Sequence, residues 1–278
     1  MKLLITGSSS GVGRWLAAHY AAAGHEVWGV ARRDQSDFAA EQKARGQNFR
    51  STRADVSKWE TMEELGRAVA REWNRLDGLI CCAGVQGPLG PAMKLSAAAW
   101  NESLNTNLNG TFNTLLATHE LLLRAERRAK IVCFSGGGST GPRPFFTPYA
   151  VAKAGIVRMV ENLAHEWIEL PMDINALAPG AVNTRMTDEV VEAGPTVVGK
   201  NEHKKALEQK QNGGTPLPKV GEAVDFLISK ESDGITGRLI SGLWDPYPRL
   251  PQYGRELEVS DIYTLRRIVP EDRGKNWL

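Results

Sequence analysis

The sequence predicts an α/β protein, a three-layer, doubly wound structure around one parallel sheet, and three observations lead there. Short apolar runs of β type alternate with longer stretches of helical periodicity from the first residue to about residue 245. A glycine-rich turn follows the first of those runs directly. The 278 residues, 42% hydrophobic and 24% charged, are enough for one sizeable core.

Seven runs qualify as strands: Lys2 to Thr6, Glu26 to Ala31, Phe49 to Arg53, Gly78 to Cys82, Lys130 to Phe134, Asp173 to Leu177 and Arg238 to Ile240. Helices fill the gaps. Gly24 closes the first helix, and Ser96 stands as the N-cap of a long one running toward Arg124. Residues 1–245 therefore read as one domain. Two segments break the rhythm: the charged stretch 185–218, which carries Gly194-Pro195 and Gly213-Gly214, and the C-terminal extension 246–278. Both are expected to be additions around a site.

A net charge of +2 with no long basic run leaves no electrostatic footprint for nucleic acid. No stretch approaches the ~18 apolar residues of a membrane span. The N-terminal run Met1-Lys2-Leu3-Leu4-Ile5 is too short for a signal peptide and merges into the glycine turn, so a cytoplasmic protein acting on a small molecule is expected. Cys81, Cys82 and Cys133 lie in apolar runs, and their odd count and spacing suit neither a disulfide framework nor a zinc site. They are expected to be buried, reduced thiols, and no metal is expected.

The turn Thr6-Gly7-Ser8-Ser9-Ser10-Gly11-Val12-Gly13 joins a strand to a helix, so backbone amides and the helix N-terminus face whatever lies there. A pyrophosphate fits that arrangement. A glycine triplet alone also suits a plain tight turn, but its place at the first turn of a parallel sheet makes this a Rossmann nucleotide site. The second strand normally ends in an acidic residue that binds the ribose hydroxyls of NAD, whereas here Val30-Ala31-Arg32-Arg33 occupies that end. Arginine clamps a 2′-phosphate, so NADP(H) is preferred, with NAD(H) still possible because Asp34 follows closely. The plainer alternative is a solvated arginine pair.

Tyr149 and Lys153 stand four residues apart at the start of a predicted helix, with phenol and ammonium on one face. A nearby cation favours the ionised phenol, which suits a tyrosine that exchanges a proton with an alcohol or alkoxide. The pattern is common by itself and gains meaning only from its company.

That company is ordered: Gly7-x-x-x-Gly11-x-Gly13, Asp55-Val56, Ala83-Gly84, Asn107, Tyr149-x-x-x-Lys153 and Pro179-Gly180 followed by Thr184. Together these resemble the short-chain dehydrogenase/reductase family in its single-domain branch, over about residues 1–245. The extended relatives, epimerases and dehydratases, space their glycines differently. The resemblance implies that Tyr149 is the general acid or base, that Lys153 lowers its pKa and holds the nicotinamide ribose, and that Asn107 kinks its helix and holds a water of the proton relay. It also implies that Gly7, Ser9, Ser10, Gly11, Val12, Gly13, Arg32, Arg33, Ala83 and Gly84 contact the coenzyme. Asp55 and Val56 would meet the adenine, although an Asp after a strand is also a common helix cap. Pro179, Gly180, Val182 and Thr184 would form the loop under the nicotinamide carboxamide.

Two departures stand out. The family's Asn-Asn-Ala-Gly is Cys81-Cys82-Ala83-Gly84 here, and the place of the catalytic serine, thirteen residues before the tyrosine, is Gly136. Ser135 is the first choice to supply the missing hydroxyl, swung in by Gly136-Gly137-Gly138; Ser139 or Thr140 can reach back; or backbone amides can hold the substrate oxygen. The remaining alternative is that Tyr149, Lys153 and Asn107 work alone.

The segment 185–218 matches the family's substrate lid, and His203, Lys204 and Lys205 there suit a polar substrate or a merely solvated face. In the extension, Trp244, Pro246, Tyr247, Pro248, Arg249, Pro251 and Tyr253 either cover the substrate opening or strap an oligomer. The expected protein is thus an NADP(H)-dependent oxidoreductase interconverting a ketone and a secondary alcohol on a polar metabolite, such as a sugar derivative or natural-product intermediate. The resemblance implies a homodimer or homotetramer. A non-catalytic NADP(H)-binding sensor and a cofactor-recycling epimerase are the alternatives.

Overall fold

Alternation of side chains decides which face each strand buries. In the computed structural model, which describes residues 1–277, the first strand β1 (Lys2–Thr6) sends Leu3 and Ile5 to one core and Leu4 to the other. The same alternation separates Ile131 and Cys133 from Val132 and Phe134 on β5 (Ala129–Phe134). Between them come β2 (Glu26–Ala31), β3 (Phe49–Arg53) and β4 (Gly78–Cys81), and after them β6 (Met172–Ala178) and β7 (Leu239–Ser241). All pair in parallel in the order β3-β2-β1-β4-β5-β6-β7. The seven-stranded parallel sheet is as the sequence predicts, with strand ends displaced by at most one residue.

Helices α1 (Gly11–Ala22), α2 (Ser36–Ala44) and α10 (Leu217–Ile228) contribute to the core on one face. Helices α3 (Trp59–Glu72), α5 (Gly110–Leu122) and α6 (Thr147–Glu166) contribute to the core on the other. The long helix expected after Ser96 is not continuous. Ser96 does cap α4 (Ala97–Leu104), its Oγ accepting from the Ala99 amide at 3.2 Å, but residues Asn105–Asn109 form a π-helical turn before α5 begins. The hydroxyls of Thr111, Thr114 and Thr118 donate to carbonyls one turn back, a pattern that bends helices, and α5 stops at Leu122.

Residues 185–218 fold as α7 (Arg185–Ala193), α8 (Pro195–Val198), α9 (Lys200–Asn212) and the entry to α10. Val190, Val198 and Ala206 make a small third core with Phe146, and Phe145 packs against it at φ +71°, a left-handed conformation unusual for so bulky a residue.

The extension returns to its own domain. Tyr247 packs on Phe226 at a ring separation of 5.6 Å, and Leu250 and Leu257 of α11 (Gly254–Glu258) are buried in the same core. The Arg238 guanidinium donates to the carbonyls of Ser260 (3.0 Å), Ile262 (2.8 Å) and Leu257, while the Tyr263 carbonyl accepts from the Leu239 amide on the edge strand β7. Hydrogen bonds from a charged donor contribute about 1.5–3 kcal/mol each. Arg238→Met is therefore expected to lower stability by about 3 kcal/mol or more in urea denaturation and to open residues 257–265 to limited proteolysis; an unchanged midpoint would contradict the strap.

Candidate active site

In a parallel sheet, loops at the C-terminal ends of neighbouring strands part where the strand order reverses, here between β1 and β4. A cleft of about 1560 Å³ opens at that point. Its floor is glycine for a steric reason. A Cβ on Gly7 would lie 2.8 Å from the Ala83 nitrogen, and one on Gly13 would lie 2.6 Å from the Gly7 carbonyl oxygen. Gly7 and Gly11 also have φ of +74° and +55°, in the left-handed region. Their packing brings the turn, the N-terminus of α1 and residues 83–84 together, a cradle fitted to a pyrophosphate.

Arg33 lies over this turn: its Nε donates to Ser9 Oγ at 3.2 Å and its Nη2 to Ser10 Oγ at 2.5 Å. Arg32 is exposed at the same rim, and both arginines line the cleft. Asp34 is engaged elsewhere, accepting from the amide (3.3 Å) and hydroxyl (2.7 Å) of Ser36. The ribose end thus presents cations and hydroxyls, a set suited to a phosphate. Val56 lines the cleft, while the Asp55 carboxylate faces Ser57, accepting from its amide (3.0 Å) and hydroxyl (2.8 Å), so Asp55 closes a local turn. Pro179, Gly180, Val182 and Thr184 line the opposite wall, and the Thr184 methyl lies 3.4 Å from where a Gly11 Cβ would be.

Tyr149 and Lys153 project from α6 into the deep end. The Lys153 ammonium lies 5.6 Å from the Tyr149 ring centroid and donates to the Phe134 carbonyl at 2.8 Å. Burial pulls its pKa down to about 8, opposed by the neighbouring cysteines. Burial likewise pushes the Tyr149 phenol up, and the Arg143 cation acts against that rise. Asn107, fully buried in the π-helical turn, braces the loop after β4: its Oδ1 accepts from the Val85 amide at 3.1 Å and its Nδ2 donates to the Val85 carbonyl at 3.0 Å. It does not line the cleft itself, but a Cβ on Gly84 would be 2.8 Å from its Oδ1 and 3.8 Å from Lys153 Nζ.

Ser135 is buried and its Oγ donates to the Lys153 carbonyl at 3.3 Å, so the hydroxyl faces the α6 backbone. Strand alternation explains this: Phe134 points to the α10 side, and the next residue points to α6. The vacated serine position is filled from across the cleft, since a Cβ on Gly136 would lie 2.6 Å from the Tyr149 hydroxyl oxygen. Cys82 is half-buried and lines the cleft, with burial pushing its thiol up, whereas Cys81 and Cys133 are buried as expected.

Residues that sequence reasoning missed come from loops and the helical cover. Arg143, Glu202, Gln209 and Tyr263 line the cleft, beside Lys205 and Trp244, which the sequence had singled out. Of the aromatics singled out in the extension, Tyr247 is buried and Tyr253 lies outside the cleft lining. A lone Arg six residues before the tyrosine was the available signal for Arg143. Among the described residues no helix is long and apolar enough to cross a membrane, and no His, Cys, Asp and Glu side chains cluster as metal ligands.

Comparison with known proteins agrees with this geometry. Residues 2–194 match the profile of the short chain dehydrogenase family. The chain is 28% identical over 246 residues to the 3-oxoacyl-(acyl-carrier-protein) reductase FabG of Staphylococcus epidermidis, covering 85% of this chain and 95% of that protein. It is 31% identical over 248 residues to the (2S)-((R)-hydroxy(phenyl)methyl)succinyl-CoA dehydrogenase subunit BbsD of Thauera aromatica, covering 85% and 92%. A variant of actinorhodin polyketide ketoreductase solved with NADPH superposes with a TM-score of 0.76 at 25% identity, covering 86% of this chain and 94% of the other. With the glycine cradle, Tyr149 and Lys153 in one cleft, the chain belongs to the short-chain dehydrogenase family, NAD(P)-dependent oxidoreductases that act on CH–OH or C=O groups.

Proposed function

We propose that this protein is an NADP(H)-dependent ketone reductase acting on a polar carbonyl compound. The observation that carries this reading is the placement of the Tyr149 hydroxyl and the Lys153 ammonium at the deep end of a cleft whose other end presents Arg32 and Arg33. The coenzyme has the shape of this cleft: Gly7, Gly11 and Gly13 leave room for a pyrophosphate, and Arg32 and Arg33 with Ser9 and Ser10 match a 2′-phosphate. The actinorhodin ketoreductase, similar in structure, was solved with NADPH. NAD(H) is the weaker ligand in this reading, since Asp34 is held by Ser36 and leaves the ribose hydroxyls without their acidic partner.

The bound nicotinamide supplies hydride to the carbonyl carbon or takes it from the alcohol. Tyr149 gives its phenolic proton to the carbonyl oxygen in reduction and takes it back in oxidation. Lys153, fixed by the Phe134 carbonyl, is placed to hold the nicotinamide ribose, and Asn107 keeps the Val85 loop and Gly84 close to it. Ser135 holds the α6 backbone at Lys153 in this reading, so it orients the lysine rather than the substrate. Helices α7 to α9 act as the substrate lid, and Glu202, Lys205 and Gln209 on it favour a polar substrate. FabG, BbsD and the actinorhodin enzyme carry names of acyl-carrier, CoA-ester and polyketide chemistry, which supports a carbonyl substrate of natural-product type. Phe112 and Leu116, exposed one turn apart on α5, offer an apolar surface for the homodimer or homotetramer. Gly136 is the one feature that favours a non-catalytic coenzyme sensor instead.

Tyr149→Phe is expected to reduce NADPH-dependent turnover by about 100-fold or more while coenzyme affinity, followed by fluorescence titration, stays within about twofold. Retained turnover would remove Tyr149 as the acid, and a parent protein that binds NADPH without reducing any ketone would favour the sensor. Arg33→Ala is expected to weaken NADPH about tenfold or more with NADH nearly unaffected; equal losses for both coenzymes would contradict the 2′-phosphate assignment.

A further inference from the structure

The loop of residues 136–146 carries a cation that neither the glycine cradle nor the Tyr149 and Lys153 pair accounts for. The Arg143 guanidinium lies 3.8 Å from the ring centroid of the fully buried Phe146 and 6.0 Å from that of Tyr149. Its Nη1 is 3.6 Å from where a Cβ on Gly137 would stand, next to Gly136, whose Cβ position is filled by the Tyr149 hydroxyl. Its Nε donates to Glu202 Oε2 on α9 at 3.0 Å, and the other oxygen of Glu202 accepts from Lys205 at 3.0 Å. Arg143 is three-quarters buried, with its side chain 25% exposed, and lines the cleft. Ring face, carboxylate and bare glycine backbone thus hold this guanidinium in one place, which an exposed arginine on a flexible loop would not share.

Resting on the reading of Tyr149 as the proton donor, we propose that Arg143 is the fixed cation that supports Tyr149 where Gly136 has no hydroxyl, and that Glu202 on the lid sets how much of that charge the phenol feels. Arg143 acts through Tyr149 and is a positioning residue. Lys153 on the same helix and Arg143 in the loop flank the Tyr149 ring, Cys82 after β4 acts on Lys153, and Glu202 and Lys205 on α9 line the same cleft. Lys153 lies 5.6 Å from the same ring and is tied to the Phe134 carbonyl, and burial pulls its pKa down to about 8 while it pushes the phenol up. A guanidinium does not deprotonate. For Glu202, burial raises its pKa, but the hydrogen bonds from Lys205 and Arg143 outweigh it and hold the carboxyl below the usual range, so it remains an anion facing Arg143. Opening of α9, or a substrate anion that draws Lys205 away, would change that balance at the phenol. The lid and the proton donor are linked through two side chains 59 residues apart.

The test is a pH titration of the Tyr149 phenol by carbon-13 NMR, using the full chain labelled at tyrosine Cζ, with the signal assigned by its loss in Tyr149→Phe. Arg143→Gln is expected to raise the midpoint by about 1 pH unit, Arg143→Lys to restore most of the shift, and Glu202→Gln to move it the opposite way, downward. Thermal midpoints of each variant show that it is folded, and Glu202→Gln, which leaves the loop and its aromatic contact intact, tests the link if Arg143→Gln fails to fold. Midpoints that do not move, or that move alike in Arg143→Gln and Glu202→Gln, would overturn the inference and leave Arg143 a brace for the loop. Failure of this inference alone appears as unmoved midpoints together with turnover lost in Tyr149→Phe; turnover retained in Tyr149→Phe would remove the underlying reading instead.

Discussion

Between β1 and β4 the backbone approaches itself so closely that Gly7 has no space for a methyl group beside Ala83, and Gly13 none beside Gly7. That contact makes the cleft. It sets the N-terminus of α1 against the loop after β4, and the same loop is bound by Asn107 through a two-way amide pair with Val85. The π-helical turn that delivers Asn107 therefore serves the same junction as the glycines, although it lies on the opposite face of the sheet from α1. Gly84, where a side chain would meet both Asn107 and Lys153, joins the nucleotide end of the cleft to its proton-transfer end. Loss of close packing there would separate parts that function only together.

The proton-transfer end shows how a missing side chain is absorbed. Removing the hydroxymethyl group at position 136 has not left a hole: the Tyr149 hydroxyl occupies the space, and burial raises its pKa. A phenol in that state is a firm proton holder and a poor proton source unless a cation favours its ionised form. Lys153 is itself so buried that its ammonium is weakened. If Arg143 is that cation, the Glu202 carboxylate bound to it sets how much of its charge reaches the phenol.

Much of this was legible in the chain, and what was not has a physical cause. Strands announced themselves as short continuous apolar runs, buried on both faces of the sheet, and the glycine turn by its position after the first of them. The break in the helix after Ser96 was legible only through the resemblance, which implies a kink at Asn107, because a π-helical turn changes register without changing composition. Ser135 does line the cleft, but alternation from Phe134 turns its hydroxyl toward α6, where it donates to the Lys153 carbonyl. Asp55 closes a local turn on Ser57, two residues on, and does not cap α3, whose N-cap is Lys58. Arg143 and Glu202 could not be paired from sequence, since they meet only when Phe145 and Phe146 dock the loop on α8 and α9. The aromatics near the C-terminus divide between roles: Phe226 offers Tyr247 a buried face, while Trp244 and Tyr263 line the cleft.

The central claim, that this cleft joins a coenzyme to a carbonyl at Tyr149, is tested most directly by isotope transfer. NADPH deuterated at C4 on the transferred position is incubated with the protein and a panel of β-ketoacyl thioesters, cyclic diketones and polar keto sugars, and each product is analysed by mass spectrometry. The account predicts at least one ketone converted to an alcohol carrying one deuterium on its carbinol carbon, with one NADPH oxidised for each alcohol formed. Saturable NADPH binding with no labelled alcohol from any of these ketones would contradict it and identify the protein as a coenzyme-binding relative without the chemistry.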